Sequence, residues 1–322
     1  SRQLRQGAGT HAAAEGAWRS SGGQLEVDLV AQDTAVAIPG GPARALTYNG
    51  LLPGPVLEVN PGDAVRIRLH NRLDQPTNLH YHGLHIPPGG TADNVFLSVA
   101  PGASQTYDFV LPAEHPAGTF YYHPHRHGTV ADQVFGGLGG VLIVRGALDR
   151  IPEVQAAQEQ VLFLKDLAAG TDRTGRGMGM GMGMGMGMGM MLGREGSVLT
   201  VNGQLNPELS VPAGGLLRLR IVNGSNARFW RLALEDHRFH LIATDGGAIE
   251  APVELEELLL APGERAEVLV QANRGGGRYR LLNLPYNRAR GGMRGGMFGG
   301  MGPGRGMGPR GSMGMGPRGG MG

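Results

Sequence analysis

Val59–Asn71 reads VNPGDAVRIRLHN, and Val211–Asn223 reads VPAGGLLRLRIVN. Each copy opens on a Pro/Gly turn and runs on into a strand-length segment that ends on Asn. The recurrence extends in both directions. APGASQTYDFV, from Ala100, returns as APGERAEVLV, from Ala261, and an Asn-Gly pair precedes each first match, at Asn49-Gly50 and Asn202-Gly203. Self-similarity of this kind marks a repeated structural unit. The chain is therefore expected to be a tandem duplication of one β-sandwich.

The rest of the chain agrees. QLEVDLV, TYDFVL and VLIV are short strand-like segments separated by Pro/Gly turns, and helical periodicity is confined to Pro152–Lys165. The reading is an all-β protein with two tandem Greek-key sandwiches at 23–147 and 148–286. A flexible N-terminus, 1–22, precedes them, and a disordered Met/Gly/Arg-rich tail, 287–322, follows.

With 322 residues, 41% of them hydrophobic, the chain can bury two ordinary cores. The net charge of +2 conceals an asymmetry: six arginines and no acid follow Tyr286, so everything before that point is net negative. Lys165 is the only lysine. The absence of cysteine excludes disulfides, cysteine zinc sites and thiolate chemistry within these residues. No apolar run approaches the roughly 18 residues of a membrane span. The chain opens at Ser1 rather than Met, which reads as a start from which a signal peptide has been removed and points to the periplasm or the cell exterior.

The histidines are not spread evenly. Six of the 11 fall in NLHYHGLH (His80, His82, His85) and FYYHPHRHG (His123, His125, His127), with His115 shortly before the second group. Residues i and i+2 of a strand share a face, about 6.5–7 Å apart, so each His-x-His offers two imidazoles side by side. If the two strands lie together, His80, His82, His123 and His125 converge. Imidazole-rich sites suit Cu, Zn, Ni and Fe. The second repeat lacks these groups: His80 and His82 align with Leu232 and Leu234, and His123 and His125 with Leu282 and Leu284. A zinc hydrolase is the competing reading, because His80, His82 and His85 fit H-x-H-x-x-H. The residue before the last histidine is Leu84, however, where metallo-β-lactamases have Asp.

PTNLHYHGL and GTFYYHPHRHG strongly resemble the first two copper-binding motifs of multicopper oxidases, the laccase-like family that couples one-electron oxidations to four-electron reduction of O2. The resemblance runs from about Gln24 to Tyr286 and includes LTYNGLLPGPVLEV and LLLAPGERAEVLV. It is most like bacterial, thermophile-type laccases that carry a Met-rich segment. It implies cupredoxin domains, with His80 on a type 2 copper and His82, His123 and His125 on a type 3 pair. Asp93 would relay protons, and His85 and His127 would orient ligands from behind. O2 and a phenolic or Cu(I) substrate would be the reactants.

The family's remaining motifs, H-x-x-H-x-H and H-C-H, are not found in these residues, and a type 1 copper needs a Cys. His237 and His240, in HRFHLI, approach the first motif but end on Ile242. The sequence reads as the first two domains of such an oxidase. A third domain or a partner chain would complete the copper site, and the alternative is a copper-binding or copper-resistance protein without turnover.

All 15 methionines lie in two Gly-rich stretches, eight of them from Met178 to Met191. Within the segment 176–192, Met178, Met180, Met182, Met184, Met186, Met188, Met190 and Met191 offer soft thioethers that favour Cu(I), on a backbone that glycine keeps free to wrap an ion. The bland reading is a low-complexity expansion in a tolerant loop. RGGMRGGMFGG resembles segments of single-strand nucleic-acid binders, but Phe298 is its one aromatic and the folded part is negative, which argues against nucleic acid.

Overall fold

The structure is a computed structural model that describes residues 17–38, 41–168 and 193–286. The eight methionines of the 176–192 segment and the tail after 286 lie outside the described residues. The first sandwich contains β1 (Trp18–Arg19), β2 (Gln24–Ile38), β3 (Gly41–Tyr48), β4 (Gly54–Val59), β5 (Ala64–Asn71), β6 (His80–His82), β7 (Ser104–Val110), β8 (Gly118–His123) and β9 (Gly140–Val144), with α1 (Val130–Gly136) between the last two strands. The second follows a short helix, α2 (Pro152–Ala156), and contains β10 (Gln158–Leu167), β11 (Val198–Val201), β12 (Leu216–Asn223), β13 (Trp230–Leu234), β14 (Phe239–Thr244), β15 (Gly247–Leu255), β16 (Glu257–Leu260), β17 (Arg265–Gln271) and β18 (Leu281–Leu284).

The duplication is visible in the strand order. One sheet of the first sandwich runs β3-β2-β5-β7, and one sheet of the second runs β11-β10-β12-β17 before adding β14 and β15. In both, the first long strand pairs parallel with the strand of the repeated motif, which pairs antiparallel with the next. The opposing sheets are β1-β4-β9-β8-β6 and β16-β13-β18.

Matching side chains do matching work. Asn49 and Asn202 both have positive φ, each followed by a positive-φ Gly, the geometry that Asn-Gly hairpin turns supply. Asn49 accepts the Val30 N–H and donates to the Asp28 carbonyl; Asn202 accepts the Phe163 N–H and donates to the Val161 carbonyl. Asn71 and Asn223, which end the two motif strands, each bind two carbonyls through Nδ2 and one N–H through Oδ1.

Each sandwich has its own core. Leu29, Leu57, Ile67, Leu69, Tyr81, Tyr107, Phe120 and Leu142 fill the first, and Leu164, Ile221, Trp230, Leu232, Phe239 and Val268 the second. Burying each large aliphatic side chain contributes about 1.5–3 kcal/mol. A third cluster, including Tyr121, Val141, Ile143, Phe163 and Val222, joins strands of both repeats. β8 and β9 are therefore buried on both faces, which hides their period of two and leaves continuous apolar runs.

The seam is also ionic. Glu267 of β17 accepts from Arg218 at 2.5 Å and Arg220 at 2.5 Å, and from Thr119 of β8 at 2.8 Å. Asp149 and Glu159 pair with the same two arginines and with Arg145. Burial pushes Asp149 up, but Arg220, the Gly146 N–H and Arg218 together hold it below the ordinary carboxylate range; Glu159 is held down likewise, against burial, by Arg145, Arg220 and Arg218.

Three expectations need correction. Helix occupies only the start of Pro152–Lys165; from Gln158 the chain is β10, because Leu162 and Leu164 point into the core and strand pairing with β12 overrides the local pattern. The N-terminal segment 1–22 is not flexible throughout, since Trp18 and Arg19 pair with Leu57 and Glu58. The alignment of His80 and His82 with Leu232 and Leu234 is one residue out. Both leucines face the second core, as Tyr81 faces the first, and the face on which His80 and His82 lie is held in β13 by Arg231 and Ala233.

Candidate metal centre

β6 is three residues long and pairs antiparallel with β8, His80 opposite His123, Tyr81 opposite Tyr122 and His82 opposite Tyr121. Tyr81 is 1% exposed and fills the core, so strand alternation turns His80 and His82 to the other side of the sheet. The register then brings His123 beside them. Ring centroids are 5.7 Å apart for His80–His82, 5.1 Å for His80–His123 and 5.6 Å for His82–His123. One ring nitrogen from each of the three lies within 4.8 Å of the others, the geometry of a metal-binding group. His125 is the fourth member, its ring centroid 5.0 Å from that of His80 and 6.2 Å from that of His123.

Neighbouring acceptors set the tautomers. His80 Nδ1 donates to Asp93 Oδ1 at 2.9 Å, and the same oxygen takes the Tyr81 N–H at 3.0 Å. His123 Nδ1 donates to the Pro124 carbonyl at 2.9 Å. Both rings thereby carry their proton on Nδ1 and their lone pair on Nε2, as metal-ligating histidines do when the other ring nitrogen is bound from behind. His123 Nε2 lies 3.3 Å from His82 Nδ1. Burial pushes His82 down to about 4, with Arg265 and His80 adding to it, and burial with the neighbouring imidazoles pushes His123 well down. At neutral pH these two rings are uncharged, each with one nitrogen that carries a lone pair, the form a metal requires.

Two residues that sequence reasoning missed complete the mount. Asn78, fully buried, accepts the His125 N–H at 2.7 Å and donates to the carbonyls of Val95 and Leu97, tying the second histidine motif to the Asp93 loop. Tyr121 stacks on His123 with centroids 4.4 Å apart. Asn78 stood inside the PTNLHYHGL motif, but its role depends on two loops meeting.

Of the residues assigned from sequence, Asp93, His80, His82, His123 and His125 come together. His85 does not join them: its N–H donates to His115 Nε2 at 2.9 Å and its ring packs on that imidazole. Among the described residues no hydrogen bond links the side chain of His85 or His127 to a ligand histidine, so the orienting role falls to Asp93 and the Pro124 carbonyl. The departure of His85 also dismantles the H-x-H-x-x-H zinc arrangement. His237 binds the Glu235 carbonyl and packs on Tyr279, and His240 lies on β14 opposite Glu254; neither belongs to the group.

An all-β pair of cupredoxin-type sandwiches, with an imidazole cluster on the first, defines a class of copper proteins. Two multicopper oxidase family models match this chain, one at residues 30–148 and one at 165–294. The chain is 32% identical over 234 residues to a multicopper oxidase of Staphylococcus aureus, covering 72% of this chain and 49% of the relative. The cell division protein FtsP of Proteus mirabilis is 33% identical over 231 residues, covering 70% and 46%. The structure of a multicopper oxidase from Campylobacter jejuni, described as a metallo-oxidase, superposes with a TM-score of 0.69 at 30% identity, covering 83% of this chain and 54% of that one. The chain belongs to the multicopper oxidase family. It spans about half the length of the curated relatives it matches. Copper is the metal this membership implies, and the neutral imidazole donor set fits it. No helix among the described residues is long and apolar enough to cross a membrane.

Proposed function

We propose that this chain binds copper at His80, His82, His123 and His125 as its share of an oxidase that couples one-electron oxidation of a phenolic or cuprous substrate to the reduction of O2 to water. The observation that carries this reading is the set of three imidazole nitrogens within 4.8 Å, two of them on rings whose opposite nitrogen is already bound to Asp93 or the Pro124 carbonyl. By the family's pattern His80 serves a type 2 ion, and the other three serve a type 3 pair. Bound copper would supply the redox chemistry, cycling between cuprous and cupric states. The protein's own part is to hold His80 Nε2 and His123 Nε2 inward and to keep a carboxylate, Asp93, hydrogen-bonded to His80 Nδ1, from which protons can be passed to the site.

These residues supply four imidazoles and no cysteine. The type 1 centre and the other trinuclear ligands are therefore assigned to a further domain or a partner chain, and work in the periplasm or outside the cell is the setting the family implies. Similarity alone does not choose between an oxidase and an FtsP-like role, since the two kinds of relative match at 32% and 33% identity. The histidines favour copper. A second reading, copper holding without turnover, is favoured by the lack of any cysteine for electron entry.

Copper titration of the metal-free chain, followed by electron paramagnetic resonance and by oxygen uptake with a phenol or Cu(I), tests both. Tight Cu(II) binding with nitrogen hyperfine structure supports the site. Sustained oxygen uptake would contradict the holding role, and failure to bind Cu(II) would sink both readings.

A further inference from the structure

The second sandwich contributes no imidazole to the cluster, yet Gly263 lies against the His82 ring and Arg265 against the strands that carry the ligands. Gly263, with φ +80°, approaches the His82 ring so closely that a Cβ built on it would lie 3.1 Å from Cε1, 3.6 Å from Nε2 and 3.8 Å from Nδ1. Arg265, 2% exposed, reaches across the seam: Nε donates to the Thr119 carbonyl of β8 at 3.1 Å, Nη2 to the Asp245 carbonyl at 3.0 Å, and Nη1 to the Gly263 carbonyl at 3.1 Å while pairing with Asp245 Oδ1 at 3.0 Å. A side chain at Gly83, the residue after His82, would run into Arg265 Nη2. The ladder between β6 and β8 ends at His82 opposite Tyr121, and the guanidinium fills the place where the two strands part. One side chain from the ligand-free repeat thus bears on both ligand-bearing strands.

The matching loop of the first repeat shows that this is not the ordinary work of the turn. Gly102 and Gly263 occupy the same position, each donating its N–H to the carbonyl of the motif asparagine, Asn71 or Asn223. Their φ angles are +78° and +80°, but a Cβ on Gly102 would meet nothing within 4 Å. Two residues on, the first repeat has Ser104, exposed, where the second has buried Arg265. The turn alone requires neither the arginine nor contact with a histidine.

We propose that Gly263 and Arg265 are positioning residues for the copper site, a wall supplied by the second sandwich that sets the pose of His82. This inference rests on the assignment of His82 as a copper ligand, and it adds that the ligand-free repeat takes part in building the centre. Guanidinium geometry is central to it. Arg265 presents donors in a rigid fork that meets the Thr119 and Asp245 carbonyls together, and a lysine at this position has one nitrogen with which to do so.

The test compares Gly263→Ala, Arg265→Gln and Arg265→Lys with Gly102→Ala in the full chain. Gly102→Ala is the matched control, because it places alanine at the same left-handed turn with no neighbour to strike. The first measurement is the ring resonances of His82 in metal-free protein labelled at histidine. The second is Cu(II) affinity and the copper hyperfine splitting of the loaded chain. Gly263→Ala should move the His82 signals and weaken copper binding about tenfold, in the range typical of outer-sphere substitutions. Both Arg265 variants should do the same, lysine failing to rescue despite its charge. Gly102→Ala should leave the rings and the copper unchanged while losing similar thermal stability. His82 resonances that stay in place in Gly263→Ala and Arg265→Gln overturn the proposal. Resonances that move in a chain that binds no copper would uphold the wall and refute the copper assignment.

Discussion

Asn71 and Asn223 end equivalent strands in the two sandwiches and make equivalent hydrogen bonds, yet the strands that follow them diverge. In the first repeat β6 carries His80 and His82 on the face away from the core; in the second, β13 has Arg231 and Ala233 there. Scaffold and site have separated. The parts that build the sandwich, the Asn-Gly turns, the motif strands and the core-facing Tyr81 or Leu234, are kept in both copies. The metal ligands sit on positions that neither core needs. The comparison teaches that a sandwich of this kind tolerates replacement of the face that carries chemistry, and that the copy without ligands retains a role as wall and seam.

The most forceful way to break this comparison is to remove the ligands. His123→Ala with His125→Ala should lower Cu(II) affinity about a thousandfold or more, roughly 4 kcal/mol, with little loss of fold. Calorimetric titration and circular dichroism read the two effects. Leu282→Ala with Leu284→Ala, the matching pair in β18, should leave copper binding as it was. Unchanged copper stoichiometry in the histidine variant would end the site assignment.

Next in size comes the seam. Glu267→Ala strips a buried carboxylate from Arg218 and Arg220, and loss of one partner from such a group costs about 3–5 kcal/mol. Denaturant unfolding should show it, and a change below about 1 kcal/mol would mean that Asp149 and Glu159 carry both arginines alone. Acid acts on the same network. Asp149 and Glu159 are held below their ordinary range in the folded chain, so their contribution is full above the unfolded carboxylate values, about 4, and disappears as pH falls through the folded values. The melting temperature of the metal-free protein is expected to fall first below about pH 6.5, where protons favour the unfolded forms of His82 and His123, and further below about pH 4 as this network protonates; a flat profile down to pH 3 contradicts the sign.

Asp93→Ala sharpens the account of the site itself. It frees His80 Nδ1 and should weaken Cu(II) binding about 10–100-fold. Asp93→Asn, which keeps an oxygen acceptor, should recover most of that loss. The smallest effect compares the twin turns. Asn49→Ala and Asn202→Ala each remove two side chain–backbone hydrogen bonds and the residue suited to a positive φ, for about 1–2 kcal/mol apiece. Nearly equal losses in thermal unfolding are expected, and a difference above about 1 kcal/mol would show that the two turns are not energetic equivalents.

Much of this was legible in the sequence, and the failures have identifiable causes. The repeat could be read because turns and alternating strands are local signals. Strand spacing paired His80 with His82. Pro152–Lys165 reads as helical because Val154, Ala157, Val161 and Leu164 fall three or four residues apart, but Leu162 and Leu164 share a face only in a strand, and pairing with β12 decides between the two. Spacing makes His85 the third histidine of a zinc motif and resemblance sets it behind the copper ligands, but the chain turns at Gly83, with φ +91°, and carries it to His115. Leu232 was matched to a histidine by counting from Asn223. Asn71 binds the carbonyl four residues on, whereas Asn223 binds the one five residues on, so a single inserted residue shifts the strand's face.

The sequence by itself determined the duplicated sandwich, the exclusion of thiolate chemistry from these residues and the four imidazoles of the candidate centre. All of these follow from residue type and from periods of two along one strand. Only the tertiary structure decided that His123 stands opposite His80, that Asp93 and Asn78 close round the cluster, and that Gly263 and Arg265 of the other repeat press on His82. The physical reason is range. Strand alternation is set by neighbouring peptide geometry, whereas register between strands and contact between sandwiches depend on which apolar faces and buried charges meet, and no spacing along the chain records that.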